Sequence, residues 1–102
     1  MAVNLLNTKD FEKEVLSFSG TVLLDFYADW CGPCQMLSPI VKAVSEEYPD
    51  VKFFKVDVDK DPELAVKFGI VSIPTLIVFK DGKPASQSVG YCTKDKIVGM
   101  IG

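Results

Sequence analysis

The chain has 102 residues, which is enough for one domain with a buried core and too few for two, so we predict a single domain over residues 1–102. Hydrophobic residues make up 48% and charged residues 25% of the chain, as in ordinary globular proteins. No apolar run approaches the ~20 residues of a membrane span. The net charge of −3, with lysines scattered along the chain, argues against a surface for nucleic acid or an anionic membrane.

The first predicted helix runs from Asn7 or Thr8 to about Leu16, because either polar residue can cap a helix N-terminus. Phe11, Val15 and Leu16 would form its apolar face. The segment before it carries no basic leader and no long apolar stretch. We therefore expect no signal peptide and a cytoplasmic location.

The next predicted element is a strand over Thr21–Tyr27, whose nearly uniform apolar character indicates burial on both faces. Asp25 interrupts this run, and burial would desolvate its carboxylate and raise its pKa. Because Asp25 lies six residues before Cys31, we favour a proton-transfer role over an aspartate that faces water at a strand edge. Lys55 would be its charge partner on a neighbouring strand, or else a solvent-facing lysine.

Further along, apolar residues at helical spacing predict a helix from Cys34 to about Tyr48, with Met36 on its apolar face and a kink at Pro39. The remaining elements are a strand over Val51 to Val58, a helix from a cap at Asp61 to about Phe68-Gly69, a hairpin of Thr75–Lys80 and Lys83–Val89 turned at Asp81-Gly82, and a helix from a cap at Thr93 through Ile101. The order β-α-β-α-β-α-β-β-α predicts an α/β fold, with a central mixed sheet and helices on both faces.

The chain has three cysteines and no histidine, and only Cys31 and Cys34 are close in sequence. A Cys-x-x-Cys pair is typical of redox chemistry or of half a metal site. A metal would need two more ligands, and the chain offers only Cys92 as a further cysteine. The missing histidines also argue against Cys–His catalysis and haem attachment. We therefore favour a redox pair and expect no metal.

The strand before this pair and the helix after it place Cys31 at a helix N-terminus, where free N–H groups and the helix dipole stabilise a thiolate. Cys34 would lie one turn later and within reach of the first sulfur, so that the pair can close a ring. Gly32 lets the backbone bend, and Pro33 suits the first helical turn.

The residues around the pair form a specific set. It comprises Trp30-Cys31-Gly32-Pro33-Cys34, preceded by Asp25-Phe26-Tyr27-Ala28 and followed by Ile73-Pro74-Thr75 and Val89-Gly90. In this order and spacing, which cover essentially the whole chain, the set resembles the thioredoxin family. The resemblance implies the thioredoxin fold. It also implies general reduction of protein disulfides by dithiol–disulfide exchange through a mixed disulfide, which maintains cell redox homeostasis.

The resemblance further implies a role for each matching residue. Cys31 would be the nucleophile and Cys34 the buried resolving thiol. Asp25 would be the acid and base that exchanges a proton with Cys34, and Lys55 would modulate it. The residues that would tune the pKa and redox behaviour of the pair are Gly32 and Pro33.

A substrate-binding surface is implied in the same way. Trp30, Ile73, Pro74 and Gly90 would form a flat apolar surface that docks the substrate backbone, with Pro74 as a cis-proline facing the dithiol. The implied partners are disulfide-containing proteins and thioredoxin reductase. The chain itself would be a monomer with no bound cofactor, and it would contact neither nucleic acid nor membrane.

Three departures from the family pattern stand out. Tyr27 occupies a position where many members have tryptophan, which we expect to change packing and fluorescence rather than chemistry. Gln35 follows the dithiol where many members have lysine, so we expect a slightly weaker stabilisation of the Cys31 thiolate. The last helix is short. Cys92 would be either a small apolar packing residue, which we favour, or a regulatory or dimer-forming thiol.

Two other functions remain alternatives. The same fold could serve as an oxidant or isomerase of a secretory compartment, but such sites usually carry a histidine between the cysteines. It could also be a binding module without redox turnover, which the presence of both cysteines together with Asp25 argues against.

Overall fold

Five strands form one mixed sheet in the computed structural model, which describes residues 3–102. The strands are β1 (Val3–Leu5), β2 (Thr21–Tyr27), β3 (Lys52–Asp57), β4 (Thr75–Lys80) and β5 (Lys83–Val89), and the α-helices are α1 (Gly32–Glu47), α2 (Glu63–Lys67) and α3 (Lys94–Ile101). Between β1 and β2 lie a 3-10 turn over Thr8–Asp10 and a π-helical segment over Glu12–Leu16. The predicted α/β fold and the predicted order of elements are therefore confirmed.

Strand β2 is the middle strand in the order β1-β3-β2-β4-β5. It pairs with β3 in parallel and with β4 in antiparallel orientation. The five residues from Val22 to Phe26 are all buried, as the apolar run predicts, because helices cover both faces of the sheet. Asp25 is one of them and is only 5% exposed.

Alternate residues of β2 contribute to two apolar layers. Leu24 and Phe26 pack with residues of the N-terminal helical segment and α2, including Phe11 and Leu64. Leu23 packs on the other face with residues of α1 and α3. Asp25 lies two residues after Leu23, so it points towards the face that α1 covers.

The first helical segment differs from its prediction. It is a 3-10 turn followed by a π-helical segment, and Asn7 makes no side-chain capping bond. Thr8 does not cap the segment either, because its N–H and its hydroxyl both donate to the carboxylate of Asp61, at 2.6 and 2.5 Å. Leu16, predicted on the apolar face, is 42% exposed at the end of the segment.

The bounds of two other helices also differ. Helix α1 begins at Gly32 rather than Cys34, because Cys31 is its N-cap and its sulfur accepts the N–H of Cys34. Pro39 lies inside α1 as predicted, whereas Met36 faces solvent. Asp61, predicted to cap α2, instead binds Thr8, so the N-cap position falls to the next residue.

Local signals near the C-terminus are confirmed. Asp81 and Gly82 both have positive φ, 52° and 82°, as the two central residues of a tight hairpin turn between β4 and β5 require. The hydroxyl of Thr93 accepts the N–H of Lys96 at 3.3 Å and so caps α3.

The contact between Thr8 and Asp61 joins segments 53 residues apart in the chain. We expect Asp61→Asn to lower the free energy of unfolding by about 1–3 kcal/mol, because an amide cannot accept both donors as a carboxylate does. Urea unfolding followed by circular dichroism measures this change. Asp50→Asn, at an exposed position after α1, is the control with the same change of charge. Equal destabilisation by the two substitutions would contradict a specific role of the contact.

Candidate active site

The dithiol pair lies where the central strand passes into α1. Cys31 is the N-cap of α1 and Cys34 belongs to its first turn, with their Cα atoms 5.2 Å apart and their sulfurs joined in a disulfide. Gly32 and Pro33 between them are exposed, and Pro33 occupies the first turn, where a missing N–H costs no hydrogen bond. The sequence therefore places both sulfurs at one helix end, as predicted.

The sulfur of Cys31 is the one that faces the helix N-terminus. It accepts the N–H of Cys34 at 3.2 Å and lies 3.8 Å from the carbonyl oxygen of Ile73. The unpaired N–H groups of a first helical turn and the helix dipole stabilise negative charge at this position. Cys31 and Cys34 are each 4% exposed, so burial does not distinguish them, whereas this hydrogen bond does.

The predicted docking residues are assembled beside the pair. Trp30 is 71% exposed, and its indole N–H donates to the carboxylate of Asp59 at 2.6 Å. Ile73 packs against the buried cluster that contains the two cysteines and Ala28, and the peptide bond from Ile73 to Pro74 is cis. The N–H of Gly90 donates to the carbonyl oxygen of Pro74 at 2.7 Å, which joins the last two members of the set.

Asp25 is buried near the pair, at the wall of a cavity that it shares with Cys34. One of its carboxylate oxygens is buried and accepts no hydrogen bond from the described part of the chain. Burial raises the pKa of Asp25 to about 7, and the nearby Lys55 ammonium opposes this increase only in part. The carboxyl group therefore gains and loses its proton near neutral pH.

A cavity of about 230 Å³ connects Asp25 with Cys34. Its lining residues are Asp25, Tyr27, Ala28, Asp29, Cys34, Gln35, Ser38 and Lys55. Gln35 is fixed there because its amide donates to the carbonyl oxygen of Asp29 at 2.8 Å. The volume and the polar lining suit a few water molecules, which would join the carboxyl group of Asp25 to the thiol of Cys34.

Sequence reasoning missed three residues of this region. Ser38 could have been found, because it lies four residues after Cys34 and therefore on the same face of α1. Asp29 and Asp59 carry no such local signal. Asp59 contributes through its contact with Trp30, which is remote from it in sequence, and Asp29 contributes through its main-chain carbonyl oxygen. Cys92 is 8% exposed and lies in the apolar layer between the sheet and α3, as the packing interpretation predicts.

Within residues 3–102, no three Cys, Asp or Glu side chains converge as ligands for a metal ion. None of the helices described is long and apolar enough to cross a membrane.

A redox-active cysteine pair at the start of the helix after a central strand defines a dithiol–disulfide oxidoreductase. The family model described as thioredoxin matches residues 2–102. A thioredoxin of Chlamydia muridarum is 46% identical over 99 residues, which cover 97% of this chain and 95% of the relative. A thioredoxin of Chlamydia trachomatis is 44% identical over 97% of this chain and 95% of its own length. A thioredoxin of Staphylococcus aureus is 40% identical over 99% of this chain and 96% of its own length. The chain belongs to the thioredoxin family, and it is an oxidoreductase for dithiol–disulfide exchange.

The buried carboxyl group has a consequence for stability. Its pKa is about 7 in the folded protein and near 4 in an unfolded chain, so the folded state holds this proton more tightly. The resulting stabilisation is complete below pH ~4 and is lost as the pH rises to ~7. Asp25→Asn carries no such proton, so its stability does not fall in this way as the pH rises. We therefore expect the free energy of unfolding of Asp25→Asn, minus that of wild type, to be larger at pH 8 than at pH 5 by about 2–3 kcal/mol.

Urea unfolding of the disulfide form at the two pH values measures this difference. Asp95→Asn, at an exposed position of α3, is the control and should show the same difference from wild type at both values. A pH-independent effect of Asp25→Asn would mean that Asp25 titrates alike in the folded and unfolded chains.

Proposed function

We propose that Cys31 is the nucleophile of the exchange reaction and that Cys34 is the resolving thiol. The observation that carries this assignment is the hydrogen bond from the N–H of Cys34 to the sulfur of Cys31, at 3.2 Å. A thiolate at that sulfur would be favoured by this donor and by the helix dipole. Cys34 has no equivalent position, because it lies within the first turn of the helix.

The reaction then has two steps. The thiolate of Cys31 attacks one sulfur of a substrate disulfide, a mixed disulfide forms, and the other substrate sulfur leaves as a thiolate. The thiolate of Cys34 next attacks the sulfur of Cys31, which closes the Cys31–Cys34 disulfide and releases the second substrate thiolate. Two electrons pass to the substrate, and its thiolates take up two protons.

The second step needs a base for the thiol of Cys34, and we assign this role to Asp25. The assignment is supported by the shared cavity and by a carboxyl pKa of about 7, which matches the pH at which the proton must move. Lys55, which lines the same cavity, would modulate the charge of Asp25.

We assign substrate docking to the surface of Trp30, Ile73, Pro74 and Gly90. Its support is the exposed indole of Trp30 beside the cysteines and the packing of Ile73 against their buried cluster. An apolar surface at this place would hold an extended substrate segment over the reactive sulfur. Gly32 and Pro33 would tune the pKa and redox behaviour of the pair by shaping the helix start.

Membership of the family implies disulfide-containing substrates and a reductase as partners. We propose that the substrates are proteins, that thioredoxin reductase restores the dithiol, and that the chain acts as a cytoplasmic monomer over a single domain of residues 1–102. Electrons would then arrive by disulfide exchange with the reductase, without a cofactor bound to the chain itself.

The roles of the two cysteines are separable by substitution. We expect Cys31→Ser to abolish insulin reduction in an assay coupled to a reductase, because no nucleophile remains for the first step. Cys34→Ser should accumulate a mixed disulfide on Cys31, because the second step is lost. Mass spectrometry of the trapped species identifies the sulfur involved. Cys92→Ser is the control and should reduce insulin as wild type does. Insulin reduction by Cys31→Ser, or trapping by Cys31→Ser instead of Cys34→Ser, would overturn the assignment.

Gln35 allows a second test, of thiolate stabilisation at the helix start. We expect Gln35→Lys to lower the pKa of Cys31, because it adds a cation in the first turn after the dithiol. Titration of the thiolate absorbance in the reduced protein measures this pKa. Gln87→Lys adds the same charge at an exposed position of β5 and should leave the titration unchanged. Identical curves for Gln35→Lys and wild type would contradict the expectation.

A further inference from the structure

Asp25 and Lys55 lie side by side on neighbouring strands but do not form an ion pair. They are register partners in the parallel pairing of β2 with β3, so their side chains project from the same face. Within the part of the chain described, the ion pairs are those of Lys52 with Glu14 and of Lys94 with Glu47. The carboxylate of Asp25 thus remains without a salt bridge to the cation beside it.

The ammonium of Lys55 is directed instead over the ring of Tyr27, with its nitrogen 5.6 Å from the ring centroid. Tyr27 lies two residues after Asp25 on the same strand, and therefore on the same face. A cation within about 6 Å of an aromatic centroid is attracted by the negative face of the ring, more strongly where water is partly excluded. Tyr27 and Lys55 are both half-buried at the wall of the cavity, which favours this attraction.

The other charged and titratable groups around Asp25 do not replace Lys55. Asp29 and Cys34 line the cavity from the loop and from α1, and neither supplies a positive charge. On the opposite neighbour, β4, the register partner of Asp25 is the apolar Leu76. Asp57, the register partner of Tyr27, accepts the main-chain N–H groups of two residues that follow it. Lys55 is therefore the one cation that lines the cavity among residues 3–102.

We propose that Tyr27 is a positioning residue of the exchange reaction: its ring holds the Lys55 ammonium away from Asp25 and leaves the carboxyl group unpaired. The inference rests on the proposed role of Asp25 as the base for Cys34. A closer cation would favour the ionised carboxylate, so that the group would lose its proton well below neutral pH and become a weaker base. With the ammonium over the ring, burial remains the dominant influence on the carboxyl group.

The test removes the ring and retains the fold. Tyr27→Leu and Tyr27→Met abolish the aromatic face and differ in shape, whereas Tyr27→Phe keeps the ring and loses only the hydroxyl. The titration of Asp25 is followed by carboxyl carbon NMR in the disulfide form, where neither Cys31 nor Cys34 titrates. Each substitution is also made in a Lys55→Met background, because a double-mutant cycle isolates the part of the effect that passes through Lys55.

We expect Tyr27→Phe to titrate as wild type and both ring-less variants to titrate lower, by about one pH unit, a tenfold change in the acid dissociation constant. In the Lys55→Met background, removal of the ring should leave the titration of Asp25 unchanged. A wild-type midpoint in both ring-less variants would overturn the proposal. An equal decrease in the Lys55→Met background would also overturn it, because the ring would then act by excluding water.

The role of Asp25 itself is tested separately. With Cys34 in place, the mixed disulfide on Cys31 is transient, and the rate at which it resolves is measured against pH by rapid mixing with a disulfide substrate, in wild type and in Asp25→Asn. Loss of the pH dependence in Asp25→Asn supports Asp25 as the base, and an unchanged profile would refute that role. The ring-less variants should shift this profile to lower pH, and Tyr27→Phe should not. The double-mutant cycle measures the titration of Asp25 and not the reaction. It therefore still decides whether Tyr27 positions Lys55 if the kinetic test refutes Asp25 as the base.

Discussion

Burial of β2 on both faces is the constraint on which the site depends. The strand is the middle one of five, and its residues pack into separate apolar layers above and below the sheet. Its end therefore has a fixed position, and Cys31 and the first turn of α1 follow from it. The same burial brings the carboxyl group of Asp25 into the protein interior beneath that turn. One packing arrangement thus sets the place of both the sulfur and the acid.

The thiol of Cys31 and the carboxyl group of Asp25 lie in opposite electrostatic environments. The sulfur of Cys31 receives a main-chain N–H at the helix start, which favours the anion. The carboxyl group of Asp25 receives no hydrogen bond at its buried oxygen from residues 3–102, and desolvation favours the neutral form. An anionic thiolate and a protonated acid can therefore coexist near neutral pH. Near pH 7 part of the Asp25 population is also ionised, and this carboxylate form is the one that the proposed proton transfer from Cys34 requires.

Local patterns in the sequence predicted most of the architecture. The apolar run of β2, the Asp81-Gly82 turn and the cap at Thr93 each depend on neighbouring residues, and each was correct. The cap at Thr8 was wrong because its donors bind Asp61, 53 residues away. The full set of residues that line the cavity at Asp25 could likewise not be predicted, because the cavity lies where β2, β3 and α1 meet. Pairwise contacts between distant segments leave no periodic signal in the chain.

Lys55 shows how such a distant contact changes the chemistry. Sequence reasoning placed it on a neighbouring strand, either as a charge partner of Asp25 or as a solvent-facing lysine, and the register does set the two opposite each other. Register alone would favour an ion pair, but the ammonium lies over the ring of Tyr27. The aromatic residue at position 27, expected to affect packing and fluorescence, thereby determines how near the cation comes to the acid. In a partly buried site the position of a charge matters as much as its presence, because water screens it less there than at an exposed surface.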